Sequence, residues 1–239
     1  MSTAQDSNFD LAIVGGGIAG LCLALAIKTH TNIPVTLYEA APAFGEIGAG
    51  VAFGPNAVRA LSFISPAFRE GFSKIATGNL DPAKQSTWFD FRVGVDGPDE
   101  DARARGVKAG MYLGSVTEPE PHSGLVNRAR LLDVLVDLLP AGFGEFSKVL
   151  SGLEDRGDGV VLRFEDGTHA THSAVVGCDG IKSRIRPVLL PATAVGGHPA
   201  SRATFTGKYC YRGMIPMDVA VSKLGAELAR PSRPGLSRV

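Results

Sequence analysis

Cysteine is scarce in this chain. Its three cysteines, Cys22, Cys178 and Cys210, stand far apart among apolar neighbours and form no Cys-x-x-Cys pair. That excludes a disulfide-stapled scaffold and a paired-thiolate metal or redox site, and a reducing, cytoplasmic setting is the expectation. Charge of one sign is missing too: 24 Lys and Arg cancel 24 Asp and Glu, leaving a formal net charge of +0. No global field then draws nucleic acid or an anionic membrane, so neither is expected as a partner and recognition must be local. The opening MSTAQDSNFD has no basic n-region, and two acids occupy the place where a secretory signal carries positive charge. No membrane span is expected either. The apolar run from Leu11 to Ile27 is 17 residues with Gly15, Gly16, Gly17 and Gly20 at its centre, which suits a strand, a turn and a helix better. His169 and His172 make an H-x-x-H, but no third ligand lies near and the spacing fits a strand poorly, so no metal site is expected.

What the chain does have is an ordinary globular composition, 44% hydrophobic and 20% charged over 239 residues, with room for one large domain or two small ones. Asp10-Leu-Ala-Ile-Val14 reads as a buried parallel strand, and Ile18 to Lys28 as a packed helix. Between them lies Gly15-Gly-Gly-Ile-Ala-Gly20, a G-x-G-x-x-G. Gly15 allows the tight turn, Gly17 lets backbone approach a pyrophosphate, and Gly20 permits close helix–strand contact. The N–H groups at the helix start would hold the phosphates. Pro34-Val-Thr-Leu-Tyr38 follows as a second strand, and Glu39, 24 positions beyond Gly15, stands where a ribose hydroxyl pair is bound. Strand, glycine turn, helix, strand and acid predict an adenine dinucleotide site. This unit alone leaves NAD and FAD both open, because they share the adenosine diphosphate end.

Further on, glycines at 45, 48, 50 and 54 give a backbone able to lie against an extended ligand, and Pro55 suits the first turn of a helix. Trp88 to Val93 has strand character, while Gly97 to Arg105 reads as a solvated loop. Asn127 to Leu139 is an amphipathic helix with a capping-type Asn before it and Pro140 after it. Arg128 sits in its first turn, against the helix dipole, where an anionic partner would justify it. Lys148 to Thr171 reads as short antiparallel strands separated by turns. Ala174-Val-Val-Gly-Cys178 reads as another buried strand, ending in Asp179-Gly180, which is either a plain turn or a carboxylate aimed into a ligand crevice.

Taken together, these segments resemble the FAD-dependent aromatic hydroxylases, the single-component flavoprotein monooxygenases of the salicylate hydroxylase type. The resemblance runs from Phe9 to about Ala229. Its most specific marker is Ala174-Val-Val-Gly-Cys-Asp-Gly-Ile-Lys-Ser-Arg-Ile-Arg186, similar to the family's second fingerprint, with Asp179, Gly180, Ser183 and Arg186 in register. The resemblance implies an α/β fold: a Rossmann-like FAD-binding domain with a small antiparallel β layer, plus the start of a mixed α+β substrate domain. It implies that Gly15, Gly17, Gly20 and Glu39 hold the adenosine end of FAD, that Ala52 touches the cofactor through its backbone, and that Arg128 contacts its phosphates or ribityl chain. Asp179 and Gly180 would serve FAD and NAD(P)H. Tyr209 to Pro216 is similar to the strand entering the substrate domain, which makes Arg212 and Tyr211 active-site candidates. The implied activity is NAD(P)H- and O2-dependent hydroxylation of a small aromatic, salicylate-like or secondary-metabolite substrate, with the flavin carrying the hard chemistry.

The expected boundaries are an FAD-binding domain over 1–186, with 81–115 contributing to the substrate side, then the beginning of a substrate domain over 187–229. Arg230 to Val239 reads as an unrelated basic tail. The family's third fingerprint, a Gly-Asp pair followed by small residues and His-Pro, finds no counterpart; Gly157-Asp158 falls in a hairpin turn. The expectation is therefore a truncated member. Its activity would be impaired, and self-association would run through an incomplete sheet edge. The other reading is a noncatalytic remnant or partial FAD-binding module acting through another chain.

Overall fold

The computed structural model describes residues 9–45, 50–79, 81–118, 124–190, 199–209 and 215–226. In chain order these form β1 (Leu11–Val14), α1 (Ile18–His30), β2 (Val35–Tyr38), β3 (Gly50–Ala52), α2 (Pro55–Ile64), α3 (Pro66–Ile75), β4 (Thr87–Arg92), α4 (Glu100–Ala104) and β5 (Tyr112–Thr117). There follow β6 (Leu125–Asn127), α5 (Arg128–Asp137), β7 (Leu150–Asp155), β8 (Val160–Phe164), β9 (His169–His172), β10 (Ala174–Gly177), α6 (Arg186–Leu189) and α7 (Met217–Leu224). The chain divides into two compact units, one drawn from 1–47, 61–71 and 129–211, the other from 48–60, 72–128 and 212–239.

The first unit is α/β and Rossmann-like. Its parallel sheet has the order β10-β1-β2, with Leu11 opposite both Ala174 and Val35, and Val14 opposite both Gly177 and Tyr38. A central strand buries both faces, which is why β1 is continuously apolar and its Ala12 and Ile13 are fully buried. Strand alternation then assigns the faces. Ile13 points to α1, where a Cβ on Gly20 would stand 3.3 Å from its Cγ2. Ala12 and Val14 join Tyr38, Leu150, Leu162, Phe164 and Ile185 in a core on the opposite face. That core is roofed by an antiparallel sheet of order β7-β8-β9. Each large apolar side chain fully buried there stabilises the unit by about 1.5–3 kcal/mol. At its far end α1 carries Lys28 and His30 in the last turn, favourable to the dipole, and Thr31 N–H and Oγ1 both bond Ile27 O at 2.8 Å.

The second unit pairs β3 with β6 and β4 with β5, both antiparallel. Pro55 opens α2, and Phe53 packs on Phe72 with ring centroids 5.1 Å apart. Gly97 to Arg105, expected as a solvated loop, contains α4 instead. Asp99 caps it, its carboxylate accepting the Ala102 N–H at 2.7 Å, and Ala102 is buried. The strand expected over Ala174–Cys178 does form, as β10, but it is not buried. Among the described residues it is the outer strand of its sheet, and Val176 is 36% exposed. Of the strand expected over Tyr209–Pro216, positions 210–214 lie outside the described residues, and Pro216 precedes α7 directly.

Candidate functional site

The C-terminal ends of β1, β2 and β10 open into one cavity of about 320 Å3 in the first unit. Gly15, Gly17, Glu39, Asp179 and Gly180 line it together, with Val14, Tyr38, Lys148, Leu150, Cys178, Lys182 and Arg184 among the other lining residues. In open α/β sheets this crevice beyond the strand ends is where ligands bind.

The glycine turn is shaped from both sides. Gly15 has φ +108 and its N–H bonds Tyr38 O at 2.8 Å; a Cβ on it would stand 2.4 Å from Cys178 O. Gly20 lies behind the cavity, and a Cβ there would stand 1.9 Å from Gly15 O. Gly17 differs from both, because a Cβ on it would meet nothing within 4 Å. It is the residue preceding α1, in extended conformation, with no side-chain cap and no acid in the first turn. The helix start therefore offers free-standing N–H groups to the open side of the turn.

Glu39 is held in place by backbone. Its Oε2 accepts the Gly16 N–H at 2.5 Å and its Oε1 the Ala41 N–H at 2.8 Å. Each oxygen keeps a lone pair, so the carboxylate can still accept ribose hydroxyls. On the other wall, Asp179 Oδ2 accepts the N–H groups of Arg184 at 2.7 Å and Ile185 at 3.3 Å. Ser183 Oγ accepts the Arg186 N–H at 2.9 Å, and the Arg186 guanidinium donates to Gly180 O at 2.9 Å and Ile181 O at 3.3 Å. The fingerprint side chains thus fold their own loop against the cavity. Burial, reinforced by the Asp179 charge, raises the Cys178 thiol above its ordinary value, so it stays protonated. Lys148 Nζ is committed to Asp166 at 2.8 Å and Thr168 at 2.9 Å. Lys182 and Arg184 add positive charge to the lining.

Residues 13–52 match the model of an NAD(P)-binding Rossmann-like domain. The chain is 44% identical over 219 residues to a 6-methylsalicylate 1-monooxygenase of Aspergillus terreus, covering 90% of this chain and 46% of that protein. It is 38% identical over 205 residues to a salicylate hydroxylase of Pseudomonas putida, covering 86% of this chain and 43% of the relative. Among solved structures, a salicylate hydroxylase substrate complex superimposes with a TM-score of 0.71 at 29% identity, over 93% of this chain and 47% of that one. Over most of its length the chain is thus similar to the salicylate hydroxylase-like FAD-dependent monooxygenase family. It spans about half the length of the curated relatives it matches.

Against the residues expected from that family, the cavity brings together Gly15, Gly17, Glu39, Asp179 and Gly180, with Gly20 as their support. Ala52 and Arg128 belong to the second unit: Ala52 ends β3 opposite Leu125, and Arg128 follows Asn127, which stands opposite Gly50. Tyr211 and Arg212 lie outside the described residues. The sequence reading missed Tyr38, Lys148 and Leu150 as cavity walls. Tyr38 was findable as the neighbour of Glu39; the other two come from the antiparallel side and carry no local signal. His169 and His172 occupy opposite faces of β9, one exposed and one buried, and among the described residues no group of ligands could hold a metal. No helix among them is long and apolar enough to cross a membrane.

Proposed function

We propose that this chain binds FAD through the cavity of its first unit and serves an NAD(P)H- and O2-dependent hydroxylation of a small, salicylate-like aromatic acid. The observation that carries the reading is the convergence of the open Gly17 turn, the backbone-anchored Glu39 and the Asp179–Gly180 loop on one cavity. The residues fit an adenosine diphosphate end. Glu39 accepts the ribose hydroxyls, the first turn of α1 faces the pyrophosphate, and Tyr38 and Leu150 supply apolar wall. Ala52 and Arg128 are proposed as further cofactor residues, and Arg212 and Tyr211 as residues for the aromatic substrate. A proposed domain division keeps 1–186 for cofactor, with 81–115 toward substrate, and 187–229 as the beginning of the substrate part. Held by Gly15, Gly17, Glu39, Asp179 and Gly180, FAD would supply the redox chemistry that couples NAD(P)H and O2 to hydroxylation, one oxygen atom entering the ring and the other leaving as water. The protein's part is to orient the cofactor and keep water from the reacting ring.

A second reading, a partial FAD-binding module that works through another chain, is favoured by the exposure of Phe89, Phe91, Met111 and Leu113 on and beside the β4–β5 ribbon. The two readings separate on the purified chain. Stoichiometric flavin absorbance with salicylate-stimulated NAD(P)H oxidation supports the first. Flavin binding with no stimulated oxidation supports the second, and no affinity for FAD or ADP overturns both.

A further inference from the structure

A hydrogen-bond chain in the first unit, buried at Tyr38 and His172 and half-buried at Asp10, has no part in the proposed function. Tyr38 Oη lies 2.8 Å from His172 Nε2, and His172 Nδ1 lies 2.6 Å from Asp10 Oδ2. Asp10 is the residue before β1, His172 ends β9 and Tyr38 ends β2, so the chain ties the start of one strand to the ends of two others. Tyr38 and His172 are 3% and 7% exposed. The other Asp10 oxygen, Oδ1, accepts the Ser173 N–H at 2.9 Å and its hydroxyl at 3.0 Å.

The protons can be assigned from this network. Partial burial works to raise the Asp10 carboxyl, but bonds from the Ser173 N–H, His172 and the Ser173 hydroxyl outweigh it and hold it below its ordinary value. Asp10 is therefore an acceptor and His172 Nδ1 carries a hydrogen. Burial first, then the charges of Glu145 and Asp10, push the Tyr38 phenol up to about 12. It keeps its proton and can donate it to His172 Nε2.

We propose that Asp10 and His172 are positioning residues for the nucleotide site, acting through Tyr38. Tyr38 touches that site in three ways. Its carbonyl accepts the Gly15 N–H that closes the glycine turn, the residue itself lines the cavity, and the next residue is Glu39. The His172 bond turns the hydroxyl away from the cavity into the core, where the ring lies 4.8 Å from that of Phe164. The end of β2 is accordingly held at a fixed depth beneath Glu39. A purely structural role would lower stability alone; a positioning role also loosens the Glu39 carboxylate from the Gly16 and Ala41 N–H groups that hold it.

The inference rests on the nucleotide reading for its purpose, and its test separates the two. Amide exchange at Gly16 and Ala41, which needs no nucleotide, is measured beside ADP affinity by calorimetry. Tyr38→Phe keeps the ring and removes only the hydroxyl bond, and His172→Leu removes both bonds of the imidazole. Both should speed exchange at the two amides and weaken ADP binding by about tenfold, the loss of one well-placed bond. His172→Gln can donate to Asp10 and accept from Tyr38, and should restore both readouts to within about twofold. Leu162→Val, in the same core but off the cavity, is the stability control and should move neither. Unchanged exchange and affinity in Tyr38→Phe, or equal effects in Leu162→Val, would overturn the positioning role. Failure of the unmodified chain to bind ADP while the exchange pattern holds would overturn the nucleotide reading and leave the positioning of Glu39 standing.

Discussion

Gly15, Gly17 and Gly20 fall within one six-residue stretch and carry different loads. Gly15 and Gly20 are required by the fold itself, since any side chain would press into backbone oxygen at 2.4 Å and 1.9 Å. Gly20→Ala should therefore cost about 3 kcal/mol or more, read as a lower urea midpoint. Gly17 has open space and an extended backbone, φ −74 and ψ −177, that alanine can adopt. Gly17→Ala should hold stability within about 1 kcal/mol yet weaken ADP or FAD, because the new methyl occupies the approach to the phosphates. An equal loss of stability in both variants would remove the distinction. Asp10 supplies a second residue-scale test. Its folded carboxyl titrates below its ordinary value, so its contribution is complete above about pH 4 and is lost as pH falls through the lowered folded value. Asp10→Asn should accordingly lower stability at pH 7 and flatten the acid limb of stability below about pH 4. Denaturation series at pH 3 and pH 7 measure both effects, and an unchanged difference between the two pH values would show that Asp10 is not the group responsible.

Among the elements, the loop from Asp179 to Arg186 shows what a fingerprint does before any ligand arrives. Asp179, Ser183 and Arg186 each bond backbone within the loop, so the motif builds the wall that the cavity uses. Arg186→Leu removes two bonds to the carbonyls of Gly180 and Ile181 and should open the loop. Faster proteolytic cleavage between Gly180 and Arg184, with weaker ADP binding, is the expected result, and cleavage at the unmodified rate would contradict it. Motifs of this kind were legible because their physics is local: the glycine turn, the acid after β2 and the turns between β7, β8 and β9 each fit within a few dozen residues. Features set by distant residues were not. Asp99 and the charges after it look like a solvated run until Ala102 finds a buried place, which makes a capped helix the better use of the same residues. The apolar run of β10 reads as a buried strand, but whether a strand is central or outermost is decided by topology. His172 was legible only as half of an H-x-x-H because its partners, Asp10 and Tyr38, stand 162 and 134 positions away.

For the whole molecule, the decisive quantity is apolar surface left in water. Among the described residues β10 pairs with β1 alone, and Val176, Ile181, Val188 and Leu189 are 36%, 73%, 48% and 72% exposed. An outer strand with one ladder of backbone groups open to pairing, followed by exposed aliphatic side chains, invites a second strand. The chain should therefore associate with itself as concentration rises, by adding strand to strand along β10. Net charge offers no resistance, since +0 leaves no mutual repulsion between copies. Val176→Lys places a charge on this strand at a partly solvated position, so it should weaken association by about fivefold or more while leaving the urea midpoint nearly unchanged. Sedimentation velocity over a hundredfold range of concentration reads the effect. A unmodified chain that stays monomeric throughout would remove the edge as a route of association, and association that persists in Val176→Lys would move it to another surface. Added FAD distinguishes further: β10 ends at Gly177, one residue before the cavity wall at Cys178. Nucleotide bound there steadies the loop beyond the strand without covering its outer edge. Association through β10 should then persist in saturating FAD, whereas association driven by local opening of the loop should fall.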